Sequence, residues 1–241
     1  MSSGVAHGAM ECRRCWKAAE MMQCVGNFKL VHDPGHWGAR TPKTLVLGVS
    51  KGNTQSSAYA QGDFDEVGFK GNRRRLLEIL QSIGLLSHEG ITQFERRFTA
   101  SESEFAFASI VRCSLTGFDV KKNVYAADSC NVLPAFLSSS DGYEWAANCV
   151  DQHLTDLPAQ TKLVLLLGNQ NSYIKNLKRI IANKRGPVTP INEVAYCSKG
   201  VKFIHLTQAS GVNGHLRNFI RGEGTSGHKR NLAKAALAMP V

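Results

Sequence analysis

The sequence is short of several things, and each shortage narrows what the chain can do. No apolar run approaches the roughly 18 residues needed to cross a bilayer; the longest, residues 163–167, has the length of one buried strand. No apolar h-region follows Met1, so a secretory signal is not expected. Internal repeats and long low-complexity tracts are missing, which argues against a solenoid or a linker protein. Acid is scarce where base is dense. Residues 157–241 hold 13 Lys/Arg against two acids, Glu193 and Glu223, whereas residues 1–156 hold 16 Lys/Arg and 17 acids. The +10 net charge is therefore an excess of the C-terminal third. A block of that sign suits a face that meets a polyanion, and the plainer reading is a solvated basic surface. No acid at all lies between Gly48 and Gln61.

What is present is the composition of a globular protein: 43% hydrophobic and 20% charged over 241 residues. A chain of this length buries a core without help from disulfides. Its seven cysteines, in a reducing compartment, read as ligands or buried thiols. The expectation is an intracellular, cytoplasmic or nucleoid-associated monomer with no membrane partner. It would form one domain over residues 1–241, with residues 1–11 a flexible leader and residues 222–241 a basic helical tail.

Along the chain, residues 11–23 could form a short helix with Cys12 and Cys15 in its first turn. Residues 44–49 (TLVLGV) form a buried parallel strand by composition. Residues 50–71 read as a long Gly-, Ser- and Gln-rich loop, of the kind that usually carries function. Helical spacing runs over residues 72–83 and stops at Gly84. Residues 105–112 and 162–167 read as further strands, 201–206 as another. Helices are expected over residues 142–157 and 172–183, with helical pieces at 216–220 and 232–238. Residues 114–142 resist assignment, and residues 184–200, with Pro187 and Pro190, read as a loop. Alternation of strands and helices gives an α/β fold: one domain with a central, mainly parallel four-stranded sheet flanked by helices. In such sheets the ligand sits beyond the carboxyl ends of the strands. The segments starting at Ser50, Cys113, Gly168 and Thr207 occupy those ends.

These strand ends carry an ordered set of motifs. Cys12-x2-Cys15 precedes the first core strand. VLGVSKGN follows that strand. Gly68-Phe69-Lys70-Gly71 leads into an apolar helix. Ser109-Ile110-Val111-Arg112-Cys113 ends the second strand, Glu144-x4-Cys149 lies before the third, and Thr207-Gln208-Ala209-Ser210-Gly211 follows the last. In order and spacing the set resembles the iron–sulfur uracil-DNA glycosylases, within the uracil-DNA glycosylase superfamily, over nearly the whole chain. The corresponding family motifs are C-x2-C, G-E-x-P-G, P-F-x-G, T-N-V-V-K-C, E-x3-C and T-H-P-S or N-P-S-G.

The resemblance implies a four-iron, four-sulfur cluster held by Cys12, Cys15, Cys113 and Cys149, since thiolates are the usual ligands of such clusters. Cys130 lies inside the gap between the last two and is the rival fourth ligand. A C-x2-C pair is also half of a zinc site. Cys24 and Cys197 read as ordinary thiols. The resemblance further implies DNA containing uracil or another deaminated base as the partner, with the target nucleotide flipped out for N-glycosidic hydrolysis. Phe69 would then stack on the base. Ser109 stands at the family's base-reading Asn and would widen the base range. Val49 replaces the water-positioning carboxylate, leaving Ser50, Asn53 or Gln55 to hold water. Gln208 falls at the family's His; His205, on the strand, is the other candidate. Lys51, Arg73, Arg74, Arg75, Asn213 and Arg217 are expected at the DNA, with His215 on the same last loop. A protein of this fold that binds DNA or abasic sites without cutting is one alternative, and a redox or zinc protein with incidental basic charge is the other.

Overall fold

The computed structural model describes residues 4–17, 19–126, 136–211 and 213–240. The chain opens with β1 (Gly8–Ala9), β2 (Met22–Val25), β3 (Phe28–Val31) and β4 (Gly35–Gly38), then β5 (Thr44–Gly48). Three helices follow: α1 (Asn53–Gln61), α2 (Arg73–Ser82) and α3 (Ile91–Arg96). Next come β6 (Phe105–Ser109), β7 (Ser114–Asp119), β8 (Val124–Ala126), helix α4 (Ser140–His153), β9 (Leu163–Leu167) and helix α5 (Asn171–Arg185). The hairpin β10 (Thr189–Asn192) and β11 (Ala195–Ser198) leads to β12 (Val201–Leu206), and α6 (Leu216–Arg221) and α7 (Gly224–Ala238) finish the fold.

The expected parallel quartet is present, in the order β6-β5-β9-β12. Period-2 alternation makes it the middle of three layers, because both faces of every strand are apolar. Leu45 and Leu47 of β5, Ala106 and Ala108 of β6, and Val164 and Leu166 of β9 point to the face covered by α4 and α5. Val46, Phe105, Phe107, Leu165 and Leu167 point to the opposite face, covered by α2, α3, α6 and α7. Right-handed crossovers require this split: the path from β5 back to β6 runs one way across the sheet, and the paths from β6 to β9 and β9 to β12 run the other.

The sheet is larger than expected. It has eight strands, not four: β4 and β1 extend one edge and β11 and β10 the other, all antiparallel. Pro190 had marked a loop, yet it pairs with Tyr196 in an outermost strand, the one place in a sheet where a missing N–H is tolerated. Gly8 and Ala9 of the expected leader pair with His36 and Gly35. The expected tail is α7, which puts Ala233 and Ala236 into the core. Lys202, buried in β12, donates to the carbonyl of Ala236 at that helix's C-terminal end, 2.7 Å away.

The expected helix over residues 11–23 is absent. That region runs into β2, joined to β3 by the two-residue turn Gly26-Asn27, with Gly26 at φ +55°. A Gly-Asn pair between alternating residues is a hairpin signal. The unassigned stretch after Cys113 supplies β7 and β8, and a second, four-stranded antiparallel sheet results, in the order β2-β3-β7-β8. Cys130 lies outside the described residues.

A buried ion pair ties these pieces together. Lys51, just past β5, is 1% exposed and sits 3.3 Å from the Asp33 carboxylate. Its ammonium also donates to the carbonyls of Asp33 and Arg112. Asp33 in turn accepts from the Ser114 backbone N–H at 2.7 Å and its hydroxyl at 2.6 Å. Removing one partner of such a pair leaves an uncompensated buried charge. Asp33→Ala is expected to cost about 3–5 kcal/mol of stability in urea unfolding; a change below about 1 kcal/mol would show that the pair is dispensable.

Candidate functional site

The four parallel strands end level. Gly48 of β5 lies opposite Ser109 of β6, and Leu167 of β9 opposite Leu206 of β12. The chain leaves β5 toward β6 but leaves β9 toward β12, so a crevice opens between β5 and β9 at their carboxyl ends. A cavity of about 420 Å³ occupies that place. Its walls are the β5–α1 segment (Gly48 to Ser50 and Gly52 to Gln55), Phe69 to Asn72 without Gly71, Leu115, Lys122 and Ala126 from the second sheet, Leu167, and Gln208 to Ser210. The size is that of a small-molecule pocket.

Phe69 shapes one wall. Its backbone lies in the left-handed region at φ +54°, a conformation costly for a residue with a Cβ and typical of functional clamps. Its N–H is fixed by the Gln55 side-chain oxygen at 2.9 Å. Arg73 holds the same loop, with its guanidinium on the Gly68 carbonyl at 2.9 Å and stacked over Phe98. The Phe69 ring packs against Phe98 and Phe107 and lines the cavity. Gly48 makes room for it, because a Cβ there would stand 3.3 Å from the ring and 3.6 Å from Ser109 Oγ.

The cavity walls are cationic rather than anionic, though Lys122 is paired with the Asp119 carboxylate at 3.4 Å. Among the described residues its walls hold no carboxylate, and the ionisable side chains are Lys70 and Lys122. The first turn of α1 opens on the same space. Asn53, Thr54 and Gln55 line it, and Ser56 is the first residue whose N–H bonds within the helix, to the Gly52 carbonyl. The first backbone N–H groups of a helix lack internal acceptors and carry its positive end, so this wall favours an anion. Sequence reading had placed a loop here. α1 buries only Ala58, so it offers no apolar periodicity to detect. Lys70, Asn72 and Lys122 were missed for the same kind of reason, since nothing local marks a polar residue as facing a pocket.

Of the residues expected to act, Gln208, Asn53, Ser50 and Phe69 line the cavity. The Gln208 amide donates to the Leu167 carbonyl at 2.8 Å, which leaves its second amide hydrogen for a ligand. Ser50 Oγ donates to the Lys51 carbonyl at 3.2 Å, and the Asn53 amide to the Tyr125 carbonyl at 3.1 Å. Ser109 is buried just behind Gly48. His205 is not at the cavity. It is fully buried in β12, with Nδ1 2.8 Å from the Gly168 carbonyl and Nε2 3.3 Å from the Tyr196 hydroxyl.

The expected DNA contacts divide. Lys51 and Arg73 are buried and bonded inside the fold, so neither can reach a phosphate. Arg74 and Arg217 are exposed, and His215 is too. Arg75 donates to the Gly71 carbonyl and the Asn72 side chain, each at 3.2 Å. Asn213 shapes the last loop from within, donating to Thr207 Oγ1 at 2.9 Å and the Gln208 carbonyl at 2.8 Å. The C-terminal basic block is also less of a surface than its composition suggests, because Arg185 and Lys202 are buried and bond to carbonyls near helix ends.

Four cysteines, Cys12, Cys15, Cys113 and Cys149, come together, and none of them lines the cavity. Cys113 follows β6, Cys149 is on α4, and the segment with Cys12 and Cys15 lies against that helix, Asn148 donating to Cys15 Sγ at 3.6 Å and Arg14 pairing with Asp151. Cys149 is within electrostatic reach of Cys15 and Cys113, and Cys15 of Cys12. Burial pushes the Cys113 thiol up to about 11 and Cys149 up to about 12. Among the described residues no group of three or more His, Cys, Asp or Glu side chains is set to hold a metal ion. The surroundings nevertheless suit an anionic cluster. Four buried polar side-chain atoms lack a hydrogen-bond partner among the described residues, and three of them are His36 Nδ1, Arg112 Nη1 and His153 Nε2. Arg112, held at about 10 chiefly by burial, feels both Cys149 and Cys12, and it lowers His36 and His153 after burial has done so. His36, neutral with its Nε2–H on the Ala39 carbonyl, leaves Nδ1 an acceptor, whereas the buried Arg112 Nη1 is a donor that calls for an occupant, and the sulfurs of a thiolate-bound cluster would accept from it.

No family model matches the chain, and no curated protein matches it. The functional reading therefore rests on the chemistry of the site.

The burial of His205 has a pH consequence. Burial lowers its pKa to about 4, below its ordinary value of 6.5. The neutral form is the one that folds, so the stability it protects is complete above about pH 6.5 and is lost as pH falls toward 4. The unfolding free energy from urea titrations should drop across that window, by up to about 1.4 kcal/mol per pH unit from this residue. His205→Gln should show a shallower fall; an unchanged slope would mean that His205 does not titrate with unfolding.

Proposed function

We propose that the chain is a DNA-repair glycosylase that releases uracil, or another deaminated base, from DNA and leaves an abasic site. The observation that carries this reading is the cavity at the β5–β9 crevice, lined by Phe69 and by polar side chains, with Lys70 and Lys122 as the ionisable groups among the described lining residues. A flipped base needs a flat apolar partner, which Phe69 supplies. Cleavage breaks the bond between the sugar C1′ and the base nitrogen. The electron pair leaves with the base, water oxygen bonds to C1′, and a water proton passes to the base or to solvent. The departing base is an anion, so donors fixed in advance lower the barrier. The first turn of α1, Lys70 and the second Gln208 amide hydrogen provide them. Asn53 and Ser50 are placed to hold the water. Exposed Arg74 and Arg217 would contact phosphates, giving affinity without sequence preference.

The cofactor in this reading is a four-iron, four-sulfur cluster on Cys12, Cys15, Cys113 and Cys149. When bound it supplies a structural clamp between the N-terminal segment, the end of β6 and α4. Arg112 and His153 would donate to its sulfurs.

The absence of a carboxylate from the described cavity walls favours a second reading, a protein that holds the flipped base or an abasic site without cutting. Single-turnover base release from uracil, hypoxanthine and xanthine duplexes separates the two. The expected result is uracil release. Phe69→Ala should remove stacking of about 1–3 kcal/mol, and Gln208→Ala should slow release by roughly 100- to 1000-fold. Tight binding with no release of any base would establish the second reading.

Anaerobically purified protein should carry about four irons per chain, from the cluster stoichiometry, and lose them in Cys149→Ser. Stoichiometric zinc in place of iron would replace the cluster with a zinc site. Retention of iron in Cys149→Ser together with its loss in Cys130→Ser would move the fourth ligand.

A further inference from the structure

The β7–β8 hairpin stands at the rim of the cavity, and its apolar side chains are in water. Val120, at its tip, is 78% exposed and Val124 48%. Strand alternation says where Val124 faces. Gly117 pairs with Ala126 and Asp119 with Val124, so Val124 shares a sheet face with Ala126 and Leu115, both of which line the cavity. Lys122, between the two valines, lines it as well. The tip is held firmly: Asp119 Oδ1 accepts the N–H groups of Lys121 and Lys122 at 3.0 and 3.2 Å, and Asn123 turns the chain at φ +53°. On the opposite face the Phe118 and Tyr125 rings pack edge to face, with the Lys29 ammonium 5.8 Å from the Tyr125 ring centre.

An apolar point flanked by lysines, beside a cavity of positive charge, suits one class of partner. A nucleic-acid duplex has phosphates for the lysines and an apolar base stack for the valines. Side chains of this kind are the ones that enter base steps and part them. Two residues of strand span roughly 7 Å, about two base steps, so Val124, two residues from Ala126 at the cavity, reaches nucleotides next to the one inside it, and Val120 stands beyond it at the tip.

We propose that the β7–β8 hairpin is a strand-parting wedge, in which Val120 and Val124 enter the base stack beside the cavity and Lys121 holds a neighbouring phosphate. This deepens the glycosylase reading and rests on it. It assigns the opening of the duplex to an element distinct from the loop after β12.

The test uses the whole protein and a duplex that carries a non-cleavable uracil nucleotide next to 2-aminopurine, whose fluorescence rises when it unstacks. Binding by wild type should raise the signal. The double variant Val120→Ser, Val124→Ser should bind this duplex roughly 10-fold more weakly and give little rise, while binding single-stranded uracil DNA as wild type does. Its unfolding midpoint should match wild type, since both side chains are exposed. Lys121→Ala should reduce the slope of log affinity against log salt by about 0.9. An equal fluorescence rise in the double variant overturns the wedge and leaves the glycosylase reading standing. Failure of wild type to bind any DNA overturns both. A wild-type dimer that Val120→Asp dissociates would make this face a contact between copies, and would also overturn the wedge.

Discussion

The ion pair of Lys51 with Asp33 is the joint on which the rest of the site hangs. Lys51 comes directly after the central strand β5, Asp33 from the hairpin region before β4, and Ser114 and Arg112 from the end of β6. Three separate stretches of chain meet at one ammonium group. The chain neighbours of Lys51, Ser50 and Gly52, line the cavity, and Cys113 lies within its electrostatic reach. Removing a charge from water is expensive unless partners surround it. Here the surroundings are complete: a carboxylate, two carbonyls, and the rings of Trp37 and Tyr59 at 5.9 and 5.7 Å. A lysine read from sequence as a hand for phosphate is in fact a rivet, and its reach is spent inside.

The cavity shows how polarity is arranged next to that pair. Its floor is the backbone of Gly48, its aromatic side is clamped by Gln55 and Arg73, and its positive field comes from backbone N–H groups as much as from lysines. Fixed dipoles of this kind need no reorganisation when charge develops. Such a field suits a leaving anion and a phosphate equally, which is why the binding and cutting readings share one geometry.

The sequence shows its strands where packing repeats in a simple way. β5, β9 and β12 are short runs apolar on both faces, and each is found within a residue or two of its expected place. α2 and α5 show a helical stripe and are found likewise. The edges of the sheet stayed hidden because β1 and β4 are built from Gly, Ala, His and Trp, with no alternation to read. β10 carries a proline that only an edge position forgives. Motif order brought Phe69, Asn53, Ser50 and Gln208 to one cavity, yet it could not say which basic residues are buried. Burial of Lys51, Arg73 and His205 is a property of distant partners: Asp33 and Arg112, the Phe69 loop, and Gly168 with Tyr196. None of these is near in sequence to the residue it hides, except where the loop itself is local.

The place of β5 in the sheet bears on how the chain emerges during synthesis. It is the central strand, and its two neighbours, β6 and β9, begin at Phe105 and Leu163. Until Phe105 is made, β5 therefore exists with both hydrogen-bonding edges unsatisfied and both faces apolar, and one edge stays open until Leu163. Non-local parallel pairing is slow, and unpaired apolar strands are the parts of a nascent chain most prone to stick to one another. The polar stretch of α1, with no acid and little to bury, is what directly follows that strand as it leaves the ribosome. A growing polypeptide of this design would be a natural client for a chaperone until β9 arrives to close the centre.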